Sequence, residues 1–104
     1  GLVRIDLYVH EFFDIEKSPG CVNDRIEIFG GSEDQNTLIG AFCDAKEKNA
    51  SIVSILNNRD PIEPKAEVLI DFITDRIMER PGFSIRWEIR LATDPLPDGI
   101  TKVN

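Results

Sequence analysis

The chain has 104 residues, 41% hydrophobic and 30% charged, with 19 acidic against 12 basic side chains and a formal net charge of −7. That length holds one hydrophobic core rather than two, and the composition belongs to a globular domain and not to a disordered segment. The acidic balance speaks against nucleic acid and anionic membranes as partners, since both need a basic face, and no apolar run is long enough for a transmembrane helix.

Period-two alternation begins at once. Val3, Ile5, Leu7 and Val9 interleave with Arg4, Asp6, Tyr8 and His10, the pattern of a half-buried strand. This opening lacks a signal-peptide pattern, so a secretion signal would have been removed or would lie upstream. Phe12 and Phe13 are adjacent and therefore face opposite ways, leaving one of them exposed. Glu16 follows just past the first strand. Ile26 and Ile28 alternate with Arg25 and Glu27 until Gly30-Gly31 turns the chain. Leu38 to Cys43 is a short apolar strand, and Asp44 to Asn49 reads as a charged loop. Ile52 to Leu56 is a further strand, stopped by Asn57-Asn58-Arg59-Asp60-Pro61.

The stretch from Ala66 to Arg80 has two readings. Leu69, Ile70, Phe72, Ile73 and Ile77 fall roughly on one side of a helix, whereas Val68, Ile70 and Phe72 share one face of a strand. Its β-branched content and its strand neighbours favour a strand over 66–73, followed by a loop that ends at Pro81-Gly82. Phe83, Ile85, Trp87, Ile89 and Leu91 then alternate cleanly with Ser84, Arg86, Glu88 and Arg90, which places Trp87 in the core. Strands at near-regular spacing without a convincing helix predict an all-β, antiparallel sandwich over residues 1–91. Residues 92–104 hold two prolines and a glycine without periodicity and read as a C-terminal linker or tail.

The chain has two cysteines, Cys21 and Cys43, each at the edge of an apolar strand beside a turn. That placement favours a disulfide over two buried free thiols, and such a bridge would stabilise by roughly 3 kcal/mol in the loop-entropy view. Asn49-Ala50-Ser51 is an N-glycosylation acceptor, consistent with secretion. Glu16, Asp24 and Asp75 all stand at strand ends, which can converge on one rim of a sandwich. Hard carboxylate oxygens from separate loops suit Ca²⁺, although by spacing alone solvated loop acids are the ordinary reading. The single histidine, His10, has no partner group for a zinc site and reads as a solvated edge residue. No serine sits in a nucleophile elbow, and Gly30-Gly31-Ser32 lacks the lysine of a phosphate loop. The chain is therefore not expected to be an enzyme.

The stretches Ile5-Asp6-Leu7-Tyr8, Phe13-Asp14-Ile15-Glu16 and Cys21-Val22-Asn23-Asp24-Arg25-Ile26-Glu27-Ile28 carry a family resemblance. So do Leu38-Ile39-Gly40-Ala41-Phe42-Cys43, Val68 to Asp75 and Gly82-Phe83-Ser84-Ile85-Arg86-Trp87. In this order they resemble the C-terminal two-thirds of a CUB domain, an extracellular jelly-roll module of complement and tolloid-like proteases, neuropilins and spermadhesins. The resemblance implies a module that is incomplete at its N-terminus, since the family's first strands and a supporting aromatic residue have no counterpart here. It implies that Glu16, Asp24 and Asp75 hold Ca²⁺, as in the family's pattern of a Glu eight positions before the Asp of Cys-x-x-Asp and a later Asp after Phe-x-x. It further implies that Asp24 and Asp75 accept a lysine or arginine of a protein partner through charge-assisted hydrogen bonds. Where many members carry Cys-Gly, this chain has Cys43-Asp44. Two alternatives remain open from sequence: a metal-free structural or oligomerisation sandwich of a larger secreted or receptor protein, and a small intracellular calcium- and lipid-binding sandwich with free thiols.

Overall fold

The computed structural model describes residues 2–30, 37–58, 68–74, 82–97 and 102–103. Eight strands run through them: β1 (Leu2–Ile15), β2 (Arg25–Gly30), β3 (Leu38–Phe42), β4 (Asp44–Lys46), β5 (Ser51–Asn58), β6 (Val68–Ile73), β7 (Gly82–Leu91) and β8 (Lys102–Val103). They form two sheets, one of five strands and one of three. In the larger sheet β1 is central. It pairs antiparallel with β7 on one side and, on the other, with β5 and then β4. The smaller sheet has the order β3-β2-β6, all antiparallel. The expected antiparallel sandwich is thus observed, and within the ambiguous stretch Val68–Ile73 is a strand.

The core lies between the sheets. Ile5, Leu7, Val9, Phe13 and Ile15 of β1 pack with Ile26 and Ile28 of β2 and with Ile52, Val53 and Ile55 of β5. The alternation seen in the sequence supplies these side chains, because every second residue of a strand faces the same way. β1 is longer than the sequence pattern indicates, since it continues to Ile15 in place of ending near Val9. A register shift between Val9 and Phe13 in the pairing with β7 takes up His10 to Phe12, so that inward alternation resumes at Phe13. Phe12 is accordingly 44% exposed and Phe13 only 2%. Asp44 to Asn49, expected as a loop, begins with the short strand β4 before turning into β5.

Two further expectations are corrected. The Arg4–Asp6–Tyr8 face of β1 was expected to be polar and half-solvated, yet Arg4 and Asp6 are among the most buried side chains, at 2% and 0%. The cause is the stretch after Leu91. Arg4 donates from Nη1 to the Asp94 carbonyl at 2.5 Å and from Nη2 to the Pro95 carbonyl at 3.0 Å, folding residues 94–97 over that face. Further on, β8 pairs in parallel with β5. The second correction is Trp87, expected in the core and instead 64% exposed. Phe83 of β7 meets Phe72 of the opposite sheet edge to face at 5.5 Å, and it packs near Phe13 at 6.4 Å. Beyond Phe83 the inward side of β7 opens into a groove of about 450 Å³ between β1, β7 and β6.

Candidate cation site

One end of the sandwich gathers the strand ends that carry the candidate carboxylates. β1 ends at Ile15, opposite Asp44, so Glu16 leaves the larger sheet at that rim. β2 begins at Arg25, opposite Ile73, the last residue of β6. Asp24, just before β2, therefore stands beside the end of β6. Phe42 of β3 pairs with Ile26, and the next residue, Cys43, is where the chain crosses from the smaller to the larger sheet.

The Cys21–Cys43 disulfide fixes this crossing, with the two Cα atoms 5.6 Å apart. It ties the loop between β1 and β2 to the β3–β4 corner. The loop itself is a short 3₁₀ turn over Pro19–Cys21 with positive φ at Gly20 and Cys21. Ser18-Pro19-Gly20 is suited to this path, since proline presets φ at the first turn position and glycine accepts the left-handed region. The Ser18 carbonyl accepts the Cys21 N–H at 3.0 Å, and Ser18 Oγ accepts the Asn23 N–H at 3.2 Å. The Arg25 guanidinium donates to the Val22 and Asn23 carbonyls, each at 3.2 Å, and closes the loop from below.

This frame positions two of the three candidate ligands. Asn23 Nδ2 donates to Glu16 Oε1 at 3.4 Å, which ties Glu16 to the segment bearing Asp24. The second oxygen, Glu16 Oε2, is buried and has no hydrogen-bond partner among the described residues. Asp24 is 3% exposed and engaged with a neighbour. Asp75 lies outside the described residues, although Thr74 immediately before it follows the end of β6. Among the described residues no cluster of three or more metal-ligating side chains forms. Ser18 and Asn23, which shape the loop, had been given no role from sequence. The turn-forming Ser-Pro-Gly triplet was the signal for Ser18, but nothing in the pattern singled out the Asn23 amide.

Asp44 sits on the other side of the disulfide with φ +77°. Its Oδ1 accepts the Ala45 N–H at 2.7 Å, a local contact that helps a non-glycine residue hold a left-handed backbone. Lys17 Nζ lies 4.0 Å from Asp44 Oδ2, a solvent-exposed pair that adds little. Asn49, the acceptor of the glycosylation triplet, is exposed at the turn before β5, where its N–H donates to the Val9 carbonyl at 3.0 Å. His10 is exposed, with its Nε2 3.4 Å from Glu11 Oε1.

Comparison with known proteins agrees with this architecture. The family profile described as CUB domain matches residues 2–87. The chain is 29% identical over 84 residues to the human "Tumor necrosis factor-inducible gene 6 protein", a match covering 81% of this chain and 26% of that protein. It is 31% identical over 81 residues to the mouse "Tolloid-like protein 1", covering 77% of this chain and 7% of that protein. The chain thus spans only a small part of either relative. No solved structure matches at the same level of significance.

Proposed function

Because the chain belongs to the CUB domain family, an extracellular type of protein-interaction module, we propose that it captures a basic side chain of a protein partner in a Ca²⁺-ordered acidic pocket. Glu16 and Asp24 would hold the ion, and Asp75 would be the third ligand, as the family resemblance implies. The observation that carries the reading is Glu16 Oε2, a carboxylate oxygen buried with no donor among the described residues. An unpartnered buried acceptor costs about 1–3 kcal/mol, and more when charged. A divalent cation turns that cost into attraction and offsets the repulsion between neighbouring acids.

The calcium would supply charge and would order the loop, with no catalytic part. The chain's own residues do the rest. Asn23 and Ser18 hold the loop, the disulfide anchors it, and Asp24 with Asp75 would accept hydrogen bonds from a partner's lysine or arginine. Such charge-assisted contacts depend on both carboxylates being ionised, so acid or a chelator should release the partner.

Calorimetry of the chain with CaCl₂ tests the ion, and an immobilised lysine-containing peptide, probed in calcium and in EDTA, tests the capture. Wild type should bind calcium and gain thermal stability from it. Glu16→Gln and Asp24→Asn should lose both effects while remaining folded in EDTA. Absence of calcium binding up to millimolar concentration in the wild type would end this reading. Asn49, exposed in its turn, is further proposed to carry a glycan when the chain is secreted. Ser51→Ala, which removes the acceptor triplet without touching the left-handed Asn49 backbone, should abolish the mass shift removed by an N-glycosidase.

A further inference from the structure

The outer face of the larger sheet carries a buried polar network that ends on one segment of backbone. Ser54 of β5 donates its hydroxyl to Asp6 Oδ1, and the Asp6 carboxylate takes Arg4 Nε and Nη2 as a fork. The same guanidinium donates from Nη1 to the Asp94 carbonyl and from Nη2 to the Pro95 carbonyl. Arg4 is thus oriented by Asp6 and already aims its remaining donors at residues 94–95, a preorganised catch. Where the segment leaves β7, Asp94 closes the turn. Its N–H donates to the Leu91 carbonyl at 3.0 Å, and its Oδ2 accepts the Leu91 N–H at 3.2 Å.

A second anchor follows. β8 pairs in parallel with β5, Lys102 opposite Ser54 and Val103 opposite Ile55. Ser54 therefore belongs to both anchors: its hydroxyl steadies the fork that holds residues 94–95, and its backbone is a ladder partner of β8. Neither anchor is strong alone. Two hydrogen bonds from a charged donor contribute about as much as ordering the backbone of four residues costs, and a two-residue strand is marginal. Opening is also mild at the network itself. The fork on Asp6 stays made, and water can reach the freed Nη donors through the polar pocket of about 290 Å³ that Tyr8 and Arg90 share with residues 94–97. The segment can part from the sheet while the core between the sheets stays closed.

We infer that residues 94–97 and β8 form one latched strap, a conformational device that opens and closes as a unit through Ser54, Asp6 and Arg4. Closed, it roofs the pocket beside Tyr8 and covers β5 at Ser54 and Ile55. Open, it uncovers two guanidinium donors and that stretch of β5. The device lies on the outer face of the sheet and does not rest on calcium.

Amide exchange followed by NMR on the whole chain tests the coupling. In the wild type the Asp94 and β8 amides should share one opening equilibrium, reached at least roughly tenfold more often than that of Ile5 and Ile26 in the core. Lys102→Pro combined with Val103→Pro removes the β8 donors without touching the buried network. It should speed exchange at Asp94 by on the order of tenfold and leave Ile5 and Ile26 unchanged. Ser54→Ala should speed Asp94 and β8 by one common factor, on the order of tenfold. In both variants the Tyr8 phenol, released from burial, should titrate closer to 10.0 than in the wild type. If Ser54→Ala does not fold, the proline pair carries the test. An Asp94 amide that exchanges in the wild type like that of an unstructured peptide would overturn the inference. So would a proline pair that leaves Asp94 and Tyr8 unchanged, or a Ser54→Ala that loosens one anchor and not the other.

Discussion

Replacing Asp6 by Ala removes the anchor of the most buried polar network in the molecule. Asp6 accepts Arg4 Nε at 2.7 Å and Nη2 at 2.9 Å as a two-pronged fork, and it accepts the Ser54 hydroxyl at 2.5 Å. Arg4 and Ser54 are themselves buried, at 2% and 0% exposure. The Asp6 hydrogen bond, aided by its charge, holds the Arg4 pKa above its already high ordinary value against the opposing effect of burial. Arg4 therefore cannot escape by shedding its proton when the carboxylate is gone. Breaking a buried pair from one side costs about 3–5 kcal/mol, and the orphaned Ser54 hydroxyl adds about 1 kcal/mol. Against a total stability of roughly 5–15 kcal/mol this is a large fraction, and it corresponds to a fall in Tm on the order of 20 °C. Urea unfolding followed by far-UV circular dichroism is the suitable assay, since Trp87 is too exposed to report on folding. The double change Arg4→Met with Asp6→Leu should recover much of the loss, because it removes both charges. It should also free residues 94–97, whose carbonyls Arg4 holds, and so increase protease sensitivity after Leu91. A loss below about 1 kcal/mol for Asp6→Ala would show that water reaches the fork and that the argument from burial is wrong.

Reducing the disulfide, or replacing Cys21 and Cys43 by Ser, should cost roughly 3 kcal/mol for a loop with a sequence separation of 22, measured by thermal unfolding with and without reductant. It should also weaken the proposed calcium binding in calorimetry, because the bridge braces the loop between Glu16 and Asp24. At Asp44, whose φ is +77°, Ala should destabilise by about 1 kcal/mol in urea, whereas Gly should be within a few tenths of wild type. Equal costs for the two would show that the Asp44–Ala45 contact, and not backbone strain, governs the position. Tyr8, the single tyrosine, has its pKa pushed above 10.0, first by burial and then by the nearby Asp6 and Glu88 charges. Tyrosinate absorbance should therefore titrate above the free phenol in the native chain and return to the ordinary value in denaturant. The folded chain holds this proton more tightly than the unfolded one. That contribution to stability is complete below pH 10 and is lost as pH rises through the native pKa.

Most of the fold was legible because strand alternation encodes it directly. Ile26 and Ile28, or Ile5, Leu7 and Val9, announce an inward face with no further information. What the sequence hid depends on contacts distant along the chain. Arg4 and Asp6 occupy the polar phase of an alternating strand, and only the fold-back of Asp94 and Pro95 makes that phase interior. Trp87 occupies the apolar phase, yet beside it the described strands leave a groove between β6 and β7 unfilled, so its ring stays largely exposed. The length of β1 was masked by its bulge, which breaks the period at His10 to Phe12. At the candidate site, the placement of Cys21 and Cys43 revealed their bridge, while spacing and family pattern single out Glu16 and Asp24 as candidates. The Asn23 amide on Glu16 was not, because a single amide leaves no periodic trace.

The proposed ion site and the apolar groove lie toward opposite ends of one strand, β1. β1 presents Ile15, next to Glu16, at the disulfide rim, and Val3, paired with Leu91 of β7, at the other end. At about 3.3 Å per residue these ends stand some 35–40 Å apart. Between them lies the aromatic contact of Phe13, Phe72 and Phe83, which closes the sandwich on the rim side. Toward the rim, packing and the Cys21–Cys43 bridge hold the acidic loop in one shape, as an ion site requires. Away from it the same sheets diverge, and the apolar phase of β7 reaches solvent. A cation site needs rigidity. The sandwich supplies it where its sheets are cross-linked by the Cys21–Cys43 bridge.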